Sequence, residues 1–369
     1  METILLLGRC FARALLVGRA NKKPVNVLRV AVVQTAKMGD MVCTTPMFRA
    51  IKNMFPQAEV FVVGDATNEE VVRYNPDVSG YVVWKNDVRL LAKELAKLHI
   101  DFACLTTPNF KALSALYLSG IPSIVAPKVH GGWSPLETKS YKLIRTLVLS
   151  ASHTMGQYAP REYLRLLEPL GIHSEDTTKH LAYSPEAKEE VVTFLTEHGL
   201  IKRRFAIISP SAGNKVKKWP AERFARVAEY LVSKSMPVVV IGSSRDREEV
   251  DEMFAELSSP HSLVVNGVNL FSIDALKALI SQAALFVSVD TGPLYIAEAF
   301  GVATVDITGP IDEREQPPIG SRNLVVVPKH RTGPELFVLN ARRYSEEEAI
   351  RQTESITIED VITAIDSLL

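Results

Sequence analysis

The sequence predicts an α/β protein built from two doubly wound domains. Three observations carry that expectation. Short, β-branched apolar runs alternate with helix-length amphipathic stretches in both halves of the chain, as expected for parallel strands covered on both faces by helices. At 369 residues, 47% of them hydrophobic, the chain is long enough for two domains with cores of their own. The last third carries a complete strand–turn–helix signal, Leu285-Phe286-Val287-Ser288-Val289-Asp290-Thr291-Gly292-Pro293, running on through Tyr295 to Gly301. Asp290 and Thr291 are N-cap residue types, Gly292 lets backbone approach closely, and Pro293 suits the first helical position. Gly301 stops the helix, and 303–307 starts the next strand. A helix that opens just past a parallel strand aims unpaired N–H groups and a partial positive charge at one spot. That spot suits a phosphate; an ordinary well-capped turn would look the same.

Bulk properties exclude several classes. Lys and Arg total 42 and Asp and Glu total 42, so no net positive charge marks a general nucleic-acid binder. Cys10, Cys43 and Cys104 are widely spaced and odd in number, which suggests a reducing compartment rather than a disulfide framework or a zinc site. No apolar run is long enough to span a bilayer. Neither Gly-x-Gly nor a Walker A loop occurs, so the dinucleotide fingerprint and the P-loop are absent.

In chain order, residues 1–24 place Ile4, Leu7, Phe11 and Leu15 on one helical face, with Arg9 and Arg13 roughly opposite. Arg19, Lys22 and Lys23 follow, and Glu2 is the only acid. The two arginines interrupt the apolar core that a secretory signal needs, so an amphipathic helix on an anionic membrane surface is expected. Residues 27–33 form the first strand, 41–55 a helix with Phe48, Ile51 and Phe55 buried, and 59–63 the next strand: a βαβ unit. Gly39 and Asp40 top the first strand, where open α/β sheets bind ligands, although Asp40 could also be a simple helix cap. Strand and helix signals continue through 81–84, 90–98 and 102–106. In 128–165, Lys128, His130, Lys139, Lys142, Arg145, His153, Arg161 and Arg165 are set against only Glu137 and Glu162. Such a stretch is either a solvated face or a cradle for an anionic acceptor. Residues 173–183 are polar and read as a linker.

A second series follows: strand 205–208, a turn-rich segment 209–220, and a helix over 221–234 with Phe224, Val227, Ala228 and Leu231 on one face. Strand 238–241, helices near 246–257 and 274–283, strand 324–327 and a closing helix over 358–369 complete it. The expected layout is a membrane-surface segment 1–24, an N-terminal acceptor domain 25–172, the linker 173–183 and a C-terminal donor domain 184–345. Residues 346–369 are expected to pack back on the N-terminal domain.

Three motifs stand in order: Met38-Gly39-Asp40-Met41-Val42-Cys43-Thr44-Thr45-Pro46; Pro210-Ser211-Ala212-Gly213 through Lys217-Lys218-Trp219-Pro220-Ala221-Glu222-Arg223-Phe224; and Asp290-Thr291-Gly292-Pro293 with Gly301-Val302 and Gly309-Pro310. Together they resemble glycosyltransferase family 9, the lipopolysaccharide heptosyltransferases, over roughly residues 27–310. The resemblance implies a GT-B fold, two Rossmann-like domains facing across a cleft. It also implies inverting transfer of a heptose or related sugar from an ADP-sugar to a lipopolysaccharide-core or similar glycolipid. Asp40 matches the family's catalytic aspartate, the base for the acceptor hydroxyl. Lys217 matches its phosphate-binding lysine, and Thr291 and Gly292 match phosphate-contacting positions. Ser211, Gly213, Asp290 and Tyr295 complete the expected donor set, and Lys128, Lys139, Lys142 and Arg145 the acceptor set. No Asp-x-Asp occurs, so no metal or other cofactor is expected, with lysine and helix dipole taking the cation's part. Trp219 is expected to pack rather than stack on ligand. The expected location is cytoplasmic, peripherally on the inner membrane.

This chain departs from the family pattern at Tyr295 (commonly His), Gln34 (often basic), Ser211 (often Gly) and Ala303 (commonly Pro), which bears on the donor sugar. A non-catalytic nucleotide-sugar-binding or assembly protein, or a nucleotide-sugar epimerase on the same fold, are the alternatives.

Overall fold

Among the described residues (2–24, 27–258 and 262–369 of a computed structural model), two parallel sheets of six strands each organise the chain. Each belongs to its own compact unit. The first unit takes the chain up to His180 together with Val338–Asn340, and the second takes Leu181–Phe337 and Ala341–Leu369.

In the first unit the elements are α1 Glu2–Val17, β1 Arg29–Val33, α2 Met38–Met54, β2 Glu59–Gly64, α3 Ala66–Val72, β3 Gly80–Val83, α4 Val88–Leu98, β4 Phe102–Leu105, α5 Phe110–Ser119, β5 Ser123–His130, α6 Lys139–Arg145, β6 Leu149–Thr154 and α7 Ala159–Leu164. The strand order is β3-β2-β1-β4-β5-β6. Val30, Ala31, Val32 and Val33 of β1 are fully buried, with β2 and β4 on either side in parallel register. That is the double coverage their β-branched side chains favour. Side-chain caps start the helices: Asp65, Asp87, Asn109 and Thr138 each accept a first-turn N–H.

The second unit runs α8 Pro185–Glu197, β7 Ala206–Ser209, α9 Ala221–Ser233, β8 Val238–Val240, α10 Arg247–Ala255, β9 Val264–Asn266, α11 Ile273–Gln282, β10 Leu285–Val289, α12 Gly292–Ala299, β11 Ala303–Ile307, β12 Asn323–Val326, α13 Glu346–Glu354 and α14 Ile358–Asp366. Its order, β12-β11-β10-β7-β8-β9, repeats that of the first sheet. In each sheet the first strand is central and the winding direction reverses beside it, between β1 and β4 and between β7 and β10. Helices leave from opposite faces there, so the carboxyl ends of those strands stay uncovered by crossovers.

Several expectations change. α2 begins at Met38, a turn earlier than 41, so Asp40 lies inside the helix. Its Pro46 cannot donate to Val42 O, and the Thr45 hydroxyl takes that carbonyl at 2.7 Å, which keeps the helix intact. The closing helix is part of the second unit. Ile356, Val361 and Ile365 are buried in the second unit's core, with Ala303 and Val305 of β11 and Val326 of β12 among its members. Their helical spacing matches an apolar surface already present beside them. The donor domain is also not one continuous stretch to 345: Leu339 is buried in the first unit, where the Ser134 hydroxyl donates to its carbonyl at 2.7 Å. Residue 1 of the expected N-terminal segment and residues 25 and 26, which open the expected acceptor domain, lie outside the described residues. Within that N-terminal segment, α1 is apolar on two sides. Leu6 and Cys10 are buried in the first unit's core, which includes Leu113, Tyr117 and Ile144. Ile4, Leu15 and Leu16 are 75%, 90% and 85% exposed.

His153 on β6 is buried against Tyr163, and burial pushes its imidazole down to about 4, with the Arg165 charge adding in the same direction. The unfolded chain protonates it near 6.5. Between those values the unfolded state binds the extra proton. Stability is therefore fully present above pH 6.5 and is lost as pH falls toward 4, by up to about 3 kcal/mol. Urea unfolding of His153→Gln across this window should show a flatter pH slope than wild type; an unchanged slope would place the acid sensitivity elsewhere.

Candidate active site

The second unit's polar cluster forms where β7 and β10 end. Ser209 pairs with Ser288 across these strands, which sets the loop after β7 beside the turn after β10. The β7 loop tightens into a short 3-10 turn, Lys215–Lys217, with the Asn214 side chain accepting from Val216 N. Val216 is buried with Leu336 and Ala349, and its carbonyl accepts from the Thr353 hydroxyl of α13 at 2.7 Å. α13 thus anchors the loop. Gly309 lets it approach: its φ is +57°, and a Cβ there would meet Thr353 Oγ1 at 2.6 Å.

With Val216 turned inward, Lys217 is directed at the end of β10. Its Nζ donates to both the carbonyl and Oδ2 of Asp290, each at 2.7 Å. The two side chains are 16% and 15% exposed, so the pair is screened far less than a surface one. Oδ1 of Asp290 accepts from the Tyr295 hydroxyl. Tyr295 is 2% exposed. Its hydroxyl is turned inward onto Asp290, five residues back at the turn before α12. The Phe300 ring lies tilted against Tyr183 at 5.5 Å.

Thr291 occupies the N-cap of α12, but its hydroxyl makes no capping bond, and Pro293 follows within the first turn. Thr291 and Gly292 are partly exposed, as the expected phosphate contacts require. Gly213 is exposed, and a side chain there would meet nothing within 4 Å, whereas Ser211 is buried at 7% exposure. Trp219 packs: it is 2% exposed, its Nε1 donates to Ile356 O at 2.8 Å, and it meets Phe224 edge-on.

One member of the cluster escaped sequence reasoning. Asp306 lies in mid-β11, opposite Ser288, and is 1% exposed. Burial pushes its carboxyl well above the usual range; the charges of Asp290 and Glu298 add to this and Lys217 opposes it. The available signal was an acid in a five-residue run that is otherwise Ala-Thr-Val-Ile. A solitary charge at a strand-core position is rarely neutral in meaning.

In the first unit, Asp40 is the third residue of α2, and its Oδ2 accepts from Lys37 N at 3.2 Å. Thr44 Oγ1 donates to Asp40 O at 2.7 Å, and the fully buried Gln34 side chain reaches both Thr44 Oγ1 and Asp40 O. Gln34 therefore ties the end of β1 to the first turn of α2. A basic side chain there would bring an unpaired buried charge. The acceptor set divides. Lys128 and Lys139 are exposed. Arg145 and Lys142 both engage Glu137, and Arg145 also donates to Pro127 O and lies over the Tyr141 ring. The Arg145 guanidinium is thus engaged on three sides within the fold. Among the described residues no group of three or more His, Cys, Asp or Glu is placed to hold a metal ion.

Two parallel six-stranded sheets of this order, each with its candidate residues at the carboxyl ends of the strands beside the reversal, define an α/β protein of the GT-B fold. The comparisons narrow this. The family described as glycosyltransferase family 9 (heptosyltransferase) matches residues 144–340, a stretch that includes Lys217, Asp290 and Asp306 but not Asp40. Lipopolysaccharide heptosyltransferase 3 of Escherichia coli (strain K12) is 25% identical over 292 residues, covering 74% of this chain and 80% of that protein. A solved family 9 glycosyltransferase from Veillonella parvula DSM 2008 superposes with a TM-score of 0.77 at 22% identity, over 94% of this chain and 99% of that one. The E. coli ADP-heptose lps heptosyltransferase II gives 0.73 at 19%, over 92% and 98%. The chain belongs to glycosyltransferase family 9 and is a glycosyltransferase.

If the Tyr295 hydroxyl holds Asp290, Tyr295→Phe loses one buried hydrogen bond to a charged group and keeps the ring. Urea unfolding should then show about 1.5–3 kcal/mol less stability. A variant as stable as wild type would mean that the hydroxyl does not support Asp290.

Proposed function

We propose that the protein is an inverting heptosyltransferase, taking the sugar from ADP-heptose or a related ADP-sugar and delivering it to a lipopolysaccharide-core or similar glycolipid. The observation that carries this is Lys217, delivered by an anchored loop to the amino-terminal end of α12 in a family 9 chain. Names of relatives support the donor: one solved neighbour is described as an ADP-heptose lps heptosyltransferase.

The chemistry follows from charge. When the glycosidic bond to the donor breaks, negative charge gathers on the departing diphosphate. Lys217 supplies a cation, and the Thr291–Gly292 end of α12 supplies the positive end of a helix dipole. Asp40 takes the proton of the attacking acceptor hydroxyl. Its carboxylate accepts from Lys37 N, and its backbone carbonyl accepts from Thr44 and Gln34, which holds the base in place. Lys128 and Lys139, both exposed, are the members of the basic stretch that would meet an anionic acceptor.

The acceptor class also suggests where the enzyme works. α1 exposes Ile4, Leu5, Leu15, Leu16 and Val17, each at least 62% exposed, with Arg9, Arg19, Lys22 and Lys23 exposed as well. An apolar face edged by cations suits the interface of an anionic membrane, here the cytoplasmic face of the inner membrane. No helix among the described residues is long and apolar enough to cross a membrane.

Asp40→Asn should abolish sugar transfer while leaving ADP affinity near wild type, because Asn cannot take the proton. A turnover assay and calorimetry on one preparation decide it, and near-normal turnover would remove Asp40 from its role. For the membrane, deleting α1 would expose core around Leu6 and Cys10, so point substitutions are the cleaner probe. Leu15→Glu with Leu16→Glu should release the protein from anionic vesicles and leave its melting temperature unchanged. Undiminished pelleting would assign the anchor to another surface.

A further inference from the structure

Asp306 is a buried group with no part in the transfer described above. Among the described residues neither of its carboxyl oxygens has a hydrogen-bond partner, and the Ser288 hydroxyl opposite it is also unpartnered. Asp290 follows two residues after Ser288. The charged groups facing Asp306 are Asp290 from the end of β10, Lys217 from the loop after β7 and Glu298 from α12. Burial in this setting raises the Asp306 carboxyl's pKa and so favours its neutral form, which carries an O–H donor. Both Asp306 oxygens are without a partner while Lys217 and Tyr295 donate to Asp290.

Donor binding changes that balance. If Lys217 serves the diphosphate, as the proposed function has it, the lysine must leave Asp290. A mostly buried carboxylate that loses its cation is destabilised unless another donor replaces it. We propose that Asp306 is a positioning residue for Lys217: its O–H turns onto Asp290 when the lysine moves to the diphosphate, so the oxygen that loses the lysine regains a donor while Tyr295 stays on the other. No proton changes residue and none is drawn from solution. A buried acid serving only as packing would have no such dependence on where Lys217 is.

Two replacements of similar size separate these roles. Asp306→Leu removes the donor and the unpartnered polar group together; Asp306→Asn keeps an N–H donor. With ADP as the probe, calorimetry in two buffers of different ionisation enthalpy should show no proton uptake by wild type. Asp306→Leu should melt at or above the wild-type temperature, yet bind ADP about tenfold or more weakly, with proton uptake as Asp290 protonates instead. Asp306→Asn should restore affinity and abolish the uptake. Wild-type affinity without proton uptake in Asp306→Leu would overturn the proposal. A ligand-free cycle keeps it separate from the proposed function. Lys217→Ala strips the lysine from Asp290 permanently, and in that background Asp306→Leu should lower the melting temperature instead of raising it. Additive effects would overturn the proposal even if ADP binds. A reversed sign in a protein that does not bind ADP would sink the diphosphate reading and leave the Asp306–Asp290 contact standing.

Discussion

In each half of this chain the first strand pairs in parallel with the fourth, β1 with β4 and β7 with β10. Parallel neighbours cannot be joined by a tight turn, so the connections cross the faces of the sheets, most of them as helices. Around that pairing the winding reverses, and the carboxyl ends of the two central strands are left open. Every residue with a proposed chemical role in the second unit hangs from this constraint. Lys217 follows β7, and Asp290, Thr291 and Gly292 follow β10. The register that sets Ser209 against Ser288 brings a lysine and an aspartate 73 residues apart into an ion pair.

The cost of such a site is visible in its polar atoms. A sheet interior made of Val, Ile and Leu has no use for a carboxyl, yet β11 carries Asp306 at 1% exposure. Nearby, Asp290 is held by a lysine and a tyrosine at once. The site therefore keeps one carboxylate over-supplied with donors beside one carboxyl that has no acceptor. An arrangement of that kind is poised for an exchange of partners, and it is tolerated because the surrounding strands are firmly packed.

The supporting framework lies far away in sequence. α13 shapes the loop that holds Lys217 through Thr353 and Ala349, and Gly309 makes room for Thr353. In the first unit Gln34 and Thr44 hold the turn that carries Asp40. α1 joins the same unit through Leu6 and Cys10 while exposing a second apolar face. The helix is thus apolar on two sides, one buried in the protein core and one exposed.

By itself the sequence determined the fold class, the order of the more strongly patterned strands and helices, and the family. Those rest on local facts: β-branched runs, helical periodicity, cap residues, and three motifs whose spacing is read along the chain. It also placed Lys217, Asp290, Thr291 and Gly292 together, because each sits just past a strand end and strand ends converge in a parallel sheet. Only the tertiary structure decided what those side chains touch. Tyr295 was expected in the donor set, and its hydroxyl lies on Asp290; Arg145 was expected in the acceptor set, and its guanidinium holds Glu137. Asp306 passed as one more strand residue, and the closing helix is buried in the second unit's core. The last two depend on partners supplied by distant elements through sheet register and helix packing. Periodicity tells which face of an element is buried, but carries no record of which polar atom lies across from it.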